Sequence, residues 1–400
     1  MASCSSATVS AKLLAVISLF VLLTVALQVK YTYFFGFYTI LSAFGSNYSA
    51  QTNSSRGQNL NDGLYNKTNS TRAQIFDHNL QTETNSTRGN IFEHSLQNRT
   101  NGTTLFSPKL VSEHPFLLEE VINPHNFEYV IRPAVKCSGR DIELVIGVPI
   151  TRDNHAGRSV IRRTWGSYAN DTNNKAVLLF FVGSENNKTG TGNPSATESR
   201  LQEEASTFGD IVQENYIDSY RNLSLKSMSI LKWVNKFCLN TKYILKVDDD
   251  MYVNIPFLME LLQEFVTKSS TPDAFIIGCL IPNSGPIRHK ISKWYTSEAL
   301  YKQDKYPNFV SGTAYAMTLK AAVLSYEASL RVPLFWLEDV FITGLCARKA
   351  NIPVYKSKFF SNGKLAPSGC TFRSMATGHG YNVAEITKIH SELFDPHLKC

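Results

Sequence analysis

Tyr243-Ile-Leu-Lys-Val-Asp248-Asp-Asp250-Met-Tyr-Val-Asn254 reads as a buried strand that runs into three aspartates and then into the start of a helix. Residues 243–247 are apolar except for Lys246, the pattern of a parallel strand covered on both faces. Asn254 can cap the following helix, and Pro256 sits in its first turn. Leu258, Leu261, Leu262 and Phe265 then recur at helical spacing and define a core-facing stripe. Working outward, residues 142–148, 176–183 and 210–213 are further strand candidates. Residues 158–165, 198–206, 223–237 and 383–394 are helix candidates, the last with Val383, Ile386, Ile389 and Leu393 on one side. Alternating strands and helices predict an α/β fold with a mostly parallel sheet and helices on both faces. Ligands of such sheets gather beyond the C-terminal strand ends, where the three aspartates fall.

Two carboxylates separated by one residue, Asp248 and Asp250, can address one hard divalent cation. The same triplet also reads as an acidic turn closing a strand. Glu338-Asp339 follows the apolar run 333–337 and precedes an apolar helical stretch. A carboxylate among apolar groups has a raised pKa, which suits a general base, although a pair before a helix also serves as a cap. His379, within Thr377-Gly378-His379-Gly380, can supply a nitrogen ligand or a phosphate contact. Arg162, Arg163 and Trp165 read either as a diphosphate and base contact or as a basic helix face with one buried aromatic.

The chain has 400 residues, a 43% apolar fraction and a formal net charge of +7, which fits a folded core and excludes a disordered chain. No dense Lys/Arg run points to nucleic acid. Six of the seven cysteines follow residue 136, enough for up to three disulfides in an oxidising compartment, and none forms the C-x-x-C pair of a zinc site. Residues 13–29 carry no charge and lie between Lys12 and Lys30, about the minimum for a spanning helix. A cleaved signal peptide is the alternative.

Glycosylation sequons begin at Asn47, Asn53, Asn66, Asn69, Asn85, Asn98, Asn101, Asn170, Asn187 and Asn222. Seven of them crowd residues 47–103, so the part after the apolar run is expected to face a lumen, in a type II topology. Asn69-Ser-Thr-Arg-Ala-Gln-Ile-Phe-Asp-His returns sixteen residues on as Asn85-Ser-Thr-Arg-Gly-Asn-Ile-Phe-Glu-His. These polar repeats bury too little to order themselves. The expected organisation is a tail at 1–12, an anchor at 13–29, a glycosylated stem at 30–115 and a catalytic domain at 116–400.

Taken in order, several further pieces carry a family resemblance. They include Ile161-Arg-Arg-Thr-Trp165-Gly, Asp218-Ser-Tyr-Arg-Asn-Leu-Ser-Leu-Lys226, Lys246-Val-Asp-Asp-Asp250, Ser292-Lys-Trp-Tyr295, Ser311-Gly-Thr313 and Glu338-Asp-Val340. Over about residues 121–400 the chain resembles the β-1,3-galactosyltransferases, glycosyltransferase family 31. The resemblance implies a GT-A type nucleotide-sugar-binding fold, manganese and a UDP-sugar donor. It implies Asp339 as catalytic base, and Asp248, Asp250 and His379 at the metal. It assigns Asp248, Asp249 and Asp250 to the donor side, and Arg162 and Trp165 to the donor or its supporting shell. Trp294, Tyr295 and Glu338 are expected on the sugar or acceptor side. A glycoprotein or glycolipid acceptor glycan, a Golgi membrane location and a homodimer accompany that picture. UDP-galactose is the expected donor, with N-acetylglucosamine or N-acetylgalactosamine transfer as the alternative and a lumenal lectin-like protein more distant. The chain departs from the family pattern at Val310, where a cysteine is usual, and at Ala314, where glycine is usual.

Overall fold

The computed structural model describes residues 106–400, apart from 135–136, 138, 186–194 and 269–272, together with two short strands at 99–100 and 103–104. The chain divides into two compact units, 1–80 and 81–400, and all described residues belong to the second. The expected anchor at 13–29, most of the stem and the sequons from Asn47 to Asn101, with Asn187, lie outside the described residues. Among the described residues no helix is long and apolar enough to cross a membrane.

The domain begins with α1 (Pro108–Glu113), capped by the Ser107 hydroxyl and opened by a proline. Leu110 of α1 is 3% exposed and joins the core, so ordered packing starts ahead of the boundary expected at residue 116. The strands are β1 (Tyr129–Ile131), β2 (Leu144–Pro149), β3 (Ala176–Ser184), β4 (Ile211–Ile217), β5 (Tyr243–Val247), β6 (Met251–Val253), β7 (Ile276–Ile281), β8 (Phe309–Thr318), β9 (Val354–Lys356) and β10 (Thr377–His379). Eight of them form one sheet in the order β9-β7-β8-β5-β2-β3-β4-β1. Strands β5, β2, β3 and β4 are mutually parallel, and so are β9 and β7. Only β8 and β1 run against the rest. The sheet is therefore mostly parallel, as its apolar strands predict.

Helices α2 (His155–Arg163), α3 (Ala196–Phe208), α4 (Leu223–Phe237), α5 (Ile255–Lys268), α6 (Leu319–Ser329) and α7 (Val383–Leu393) flank the sheet. Alternation along each strand sends side chains to two cores. From β8, Tyr315 and Met317 join one core with residues of α4 and α6, while Ala314 and Ala316 join the other with residues of α2, α5 and α7. The Ala314 methyl thus fills the core away from Tyr315. Val310 is likewise fully buried, and its backbone brackets the Thr343 hydroxyl.

Asn254 caps α5 as expected, and Leu258 and Leu262 are fully buried. In α7 Ile386 and Ile389 are buried, but Val383 in the first turn is 40% exposed. Two disulfides form, Cys137–Cys238 and Cys370–Cys400, while Cys279 and Cys346 remain free thiols, so the third bridge allowed by sequence is not made. Asn170 is exposed. The Asn222 amide instead donates to Ile217 O at 2.8 Å, and Ser224 of the same sequon is buried against Phe335 O. That triplet leads into α4, with Asn222 partly exposed at its N-cap position.

Candidate active site

The parallel strands deliver their following residues to one edge of the sheet. Lys226 of α4 ties that edge together, its ammonium donating to Ile150 O after β2 and to Asp218 Oδ1 after β4, each at 2.8 Å. Asp218 Oδ2 in turn accepts from Gly183 N of β3. At the end of β5, Asp248 pairs by its backbone N–H with Thr313 O of β8. Asp249 Oδ2 accepts from Asn154 Nδ2 at 2.7 Å, which fixes the turn to the segment after β2.

The chain then forms β6, which pairs antiparallel with β10 and sets His379 opposite Met251. Gly380, at φ +84°, and Tyr381 donate their N–H groups to Asp250 O. This brings His379 Nε2 to 3.1 Å from Asp250 Oδ2. The hydrogen bond to Asp250 raises the His379 pKa. Trp165 is 2% exposed and donates its indole N–H to Met251 O at 3.0 Å. It braces the aspartate turn from behind and presents no face to a nucleotide base.

Glu338 and Asp339 lie against Ser311-Gly312-Thr313. A Cβ on Gly312 would sit 2.8 Å from Glu338 Oε2 and 3.3 Å from Asp339 Cβ, so the missing side chain is what lets the two segments meet. Asp339 Oδ1 accepts from Val340 N at 2.8 Å and Oδ2 from Gly312 N at 3.4 Å. It therefore caps the π-helical segment Val340–Cys346 and also stands at the site. Burial first, and the Glu338 charge second, push Asp339 up to about 6.

Glu338 is 3% exposed and points inward, accepting from Tyr315 Oη at 2.7 Å and lying 3.5 Å from Lys246 Nζ. It orients the site from within and offers no surface to an acceptor, contrary to the sequence expectation. Lys246 is the element that sequence reading missed. Its Nζ reaches Asp248 Oδ1 at 2.6 Å, Gly312 O, and the neighbourhood of Glu338. Against the desolvation of burial, these carboxylates hold its pKa above the ordinary value. Burial also pushes Asp248 up to about 6. A lysine inside an otherwise apolar strand was the available signal, because such a charge requires partners.

The remaining expected residues separate. Arg162 forms a two-pronged pair with Asp210, at the N-terminal end of β4, with both bonds at 2.8 Å, and a further bond to Glu204. Its guanidinium is committed there, away from the aspartates. Trp294 is 51% exposed in the loop between β7 and β8, and Tyr295 is half-buried beside it.

Of the three expected metal ligands, the structure brings together Asp250 and His379, both partly exposed, while Asp248 Oδ1 faces Lys246. Among the described residues no three His, Cys, Asp or Glu side chains gather as a metal cage. One carboxylate and one imidazole open to solvent fit a divalent cation that takes its other ligands from a phosphate-bearing substrate and water.

A galactosyltransferase family model matches residues 156–358, a window that contains Asp248–Asp250 and Glu338–Asp339 and stops before His379. Mouse beta-1,3-galactosyltransferase 1 is 34% identical over 304 residues, covering 75% of this chain and 90% of that protein. Gorilla beta-1,3-galactosyltransferase 5 is 33% identical over 273 residues, covering 68% and 88%. Human lactosylceramide 1,3-N-acetyl-beta-D-glucosaminyltransferase is 32% identical over 302 residues, covering 72% and 77%.

Proposed function

The chain belongs to the galactosyltransferase family and is a hexosyltransferase, and from that premise we propose that it moves galactose from UDP-galactose to the 3-hydroxyl of an acceptor glycan, giving a β-1,3 linkage. The observation that carries this reading is the junction of the aspartate turn and Asp339 through Lys246, Glu338 and Gly312. A donor contact and a candidate base are thereby fixed on the two sides of one glycine. The mostly parallel sheet with its acidic turn after β5 is in keeping with a GT-A type fold.

In this mechanism Asp339 accepts the proton of the acceptor hydroxyl as that oxygen attacks the anomeric carbon. Attack opposite the departing nucleotide inverts the α-linked donor to a β product. Glu338 and Lys246 hold Asp339 and Asp248 in place from the dry side of the site. Asp250 and His379 would hold manganese, which when bound offsets charge on the leaving diphosphate. We further propose that residues 13–29 anchor the chain in the Golgi membrane with the catalytic domain lumenal.

The test is transfer by the full-length enzyme with manganese, a panel of UDP-sugars and acceptors ending in N-acetylglucosamine or galactose. Transfer from UDP-galactose that EDTA abolishes supports the reading. Transfer from UDP-N-acetylglucosamine alone replaces the donor, the alternative that the identity to the human N-acetylglucosaminyltransferase motivates. Binding of glycans without transfer from any donor would favour a lectin-like protein.

A further inference from the structure

The segment that leads into Asp339 carries, at Trp336, a group of side chains that the transfer mechanism leaves unused. Trp336, three residues before Asp339, meets Tyr220 edge-on with ring centroids 6.3 Å apart. The Arg221 guanidinium stacks over Trp336 at 3.9 Å, and the Lys293 ammonium stands over Tyr220 at 4.2 Å. Lys293 comes from the loop that also carries Trp294 and Tyr295, so two distant segments close on one aromatic pair. Tyr220, Arg221 and Lys293 are exposed. Among the described residues neither cation has a carboxylate within ion-pairing distance. The Trp336 indole Nε1 is buried and has no hydrogen-bond partner.

A cation beside an aromatic face can be a surface contact alone. Here two uncompensated cations flank a joined pair of rings, and a buried donor is left without an acceptor, a state that folded proteins seldom tolerate. The two exposed cations are the part of this group open to a ligand, and what they lack is a negative charge. Trp336 and Tyr220 each carry a cation over one ring face, so the rings hold Arg221 and Lys293 in place and the two exposed cations take an anion attached to the acceptor sugar. The donor's phosphates belong with Asp250 and His379, whereas Trp336 leads directly into Asp339. We propose that Tyr220, Arg221, Lys293 and Trp336 form an acceptor subsite for a glycan bearing a sulfate or carboxylate close to the hydroxyl that is glycosylated. This rests on the transfer reaction proposed above.

The experiment uses full-length enzyme in detergent with manganese and the UDP-sugar it transfers. The acceptors are a matched pair, an N-acetylglucosamine-terminated oligosaccharide and its 6-O-sulfated form. The expected kcat/KM favours the sulfated acceptor by about tenfold, carried by KM, the effect of one charged hydrogen bond. In Arg221→Gln/Lys293→Gln the ratio falls to about one, and Lys293→Arg keeps it. Equal use of both acceptors by the wild-type enzyme overturns the subsite and leaves the transfer reaction standing. A preference that survives the double substitution overturns it as well. Loss of UDP affinity in the double variant assigns the cations to the donor's diphosphate and also overturns it. Failure of transfer to both acceptors counts against the reaction itself. Calorimetric binding of the sulfated oligosaccharide then decides the subsite, which is overturned by absent binding or by binding that the double variant keeps.

Discussion

Asp339 sits where burial and the Glu338 charge both oppose its ionisation, and only two backbone N–H groups and the Lys246 charge favour it. Its folded pKa of about 6 lies above the ordinary 3.8. Below about 6 this proposed base is protonated, so kcat/KM should fall about tenfold per pH unit and level off above it. An acid limb that persists unchanged in Asp339→Asn would assign that titration elsewhere. Asp339→Asn should lower turnover by about 10²–10⁴-fold and leave UDP binding intact, as read by calorimetry. Stability moves the other way. Between 3.8 and about 6 the folded protein holds a proton that the unfolded chain has lost, so this residue's contribution falls as pH rises through that window. At neutral pH the asparagine variant should therefore melt no lower than the wild type. Asp250→Ala, which removes the carboxylate paired with His379, should abolish manganese-dependent UDP binding without lowering the melting temperature. Retained affinity with manganese would remove Asp250 from that role.

At the level of elements, Gly312 in β8 decides how closely the acidic pair approaches the aspartate turn. Gly312→Ala puts a methyl 2.8 Å from Glu338 Oε2, and Glu338 is fixed by Tyr315, so the segment carrying Asp339 must shift. Turnover should drop at least tenfold with little change in UDP affinity, because effective positioning fails over fractions of an ångström. Equal loss of UDP binding would mean that the turn moved instead. The elements themselves were readable in the sequence. Strand β5 and helix α4 fall at the residues that their apolar patterns mark. What sequence could not give was partnership. Arg162 looked like an anion contact because Glu204 and Asp210, which neutralise it, come from other elements. Glu338 reads as an acceptor contact because its holders, Tyr315 and Lys246, lie on two different strands. Val383 fits the helical stripe, yet the first turn of α7 projects beyond the core.

Across the whole molecule, the Cys137–Cys238 bridge joins residues 101 apart and lies among the core residues beneath α4. Replacing both cysteines with alanine should lower the melting temperature by about 10 °C, from a loop-closure contribution of about 4–5 kcal/mol. An unchanged melting temperature would show that the bridge adds nothing to the fold. The ribbon of β6 and β10 has a different consequence. It sets His379 against the acidic turn made much earlier, and α7 with the Cys370–Cys400 bridge packs next to it in the chain. A ribosome that has just added Lys356 has thus made every strand of the eight-stranded sheet but not the ribbon that sets His379 on the acidic turn. On the proposed roles, a premature stop between Asp339 and His379 would leave the sheet, the candidate base and the acidic turn in place, and the expected outcome is a protein that transfers nothing.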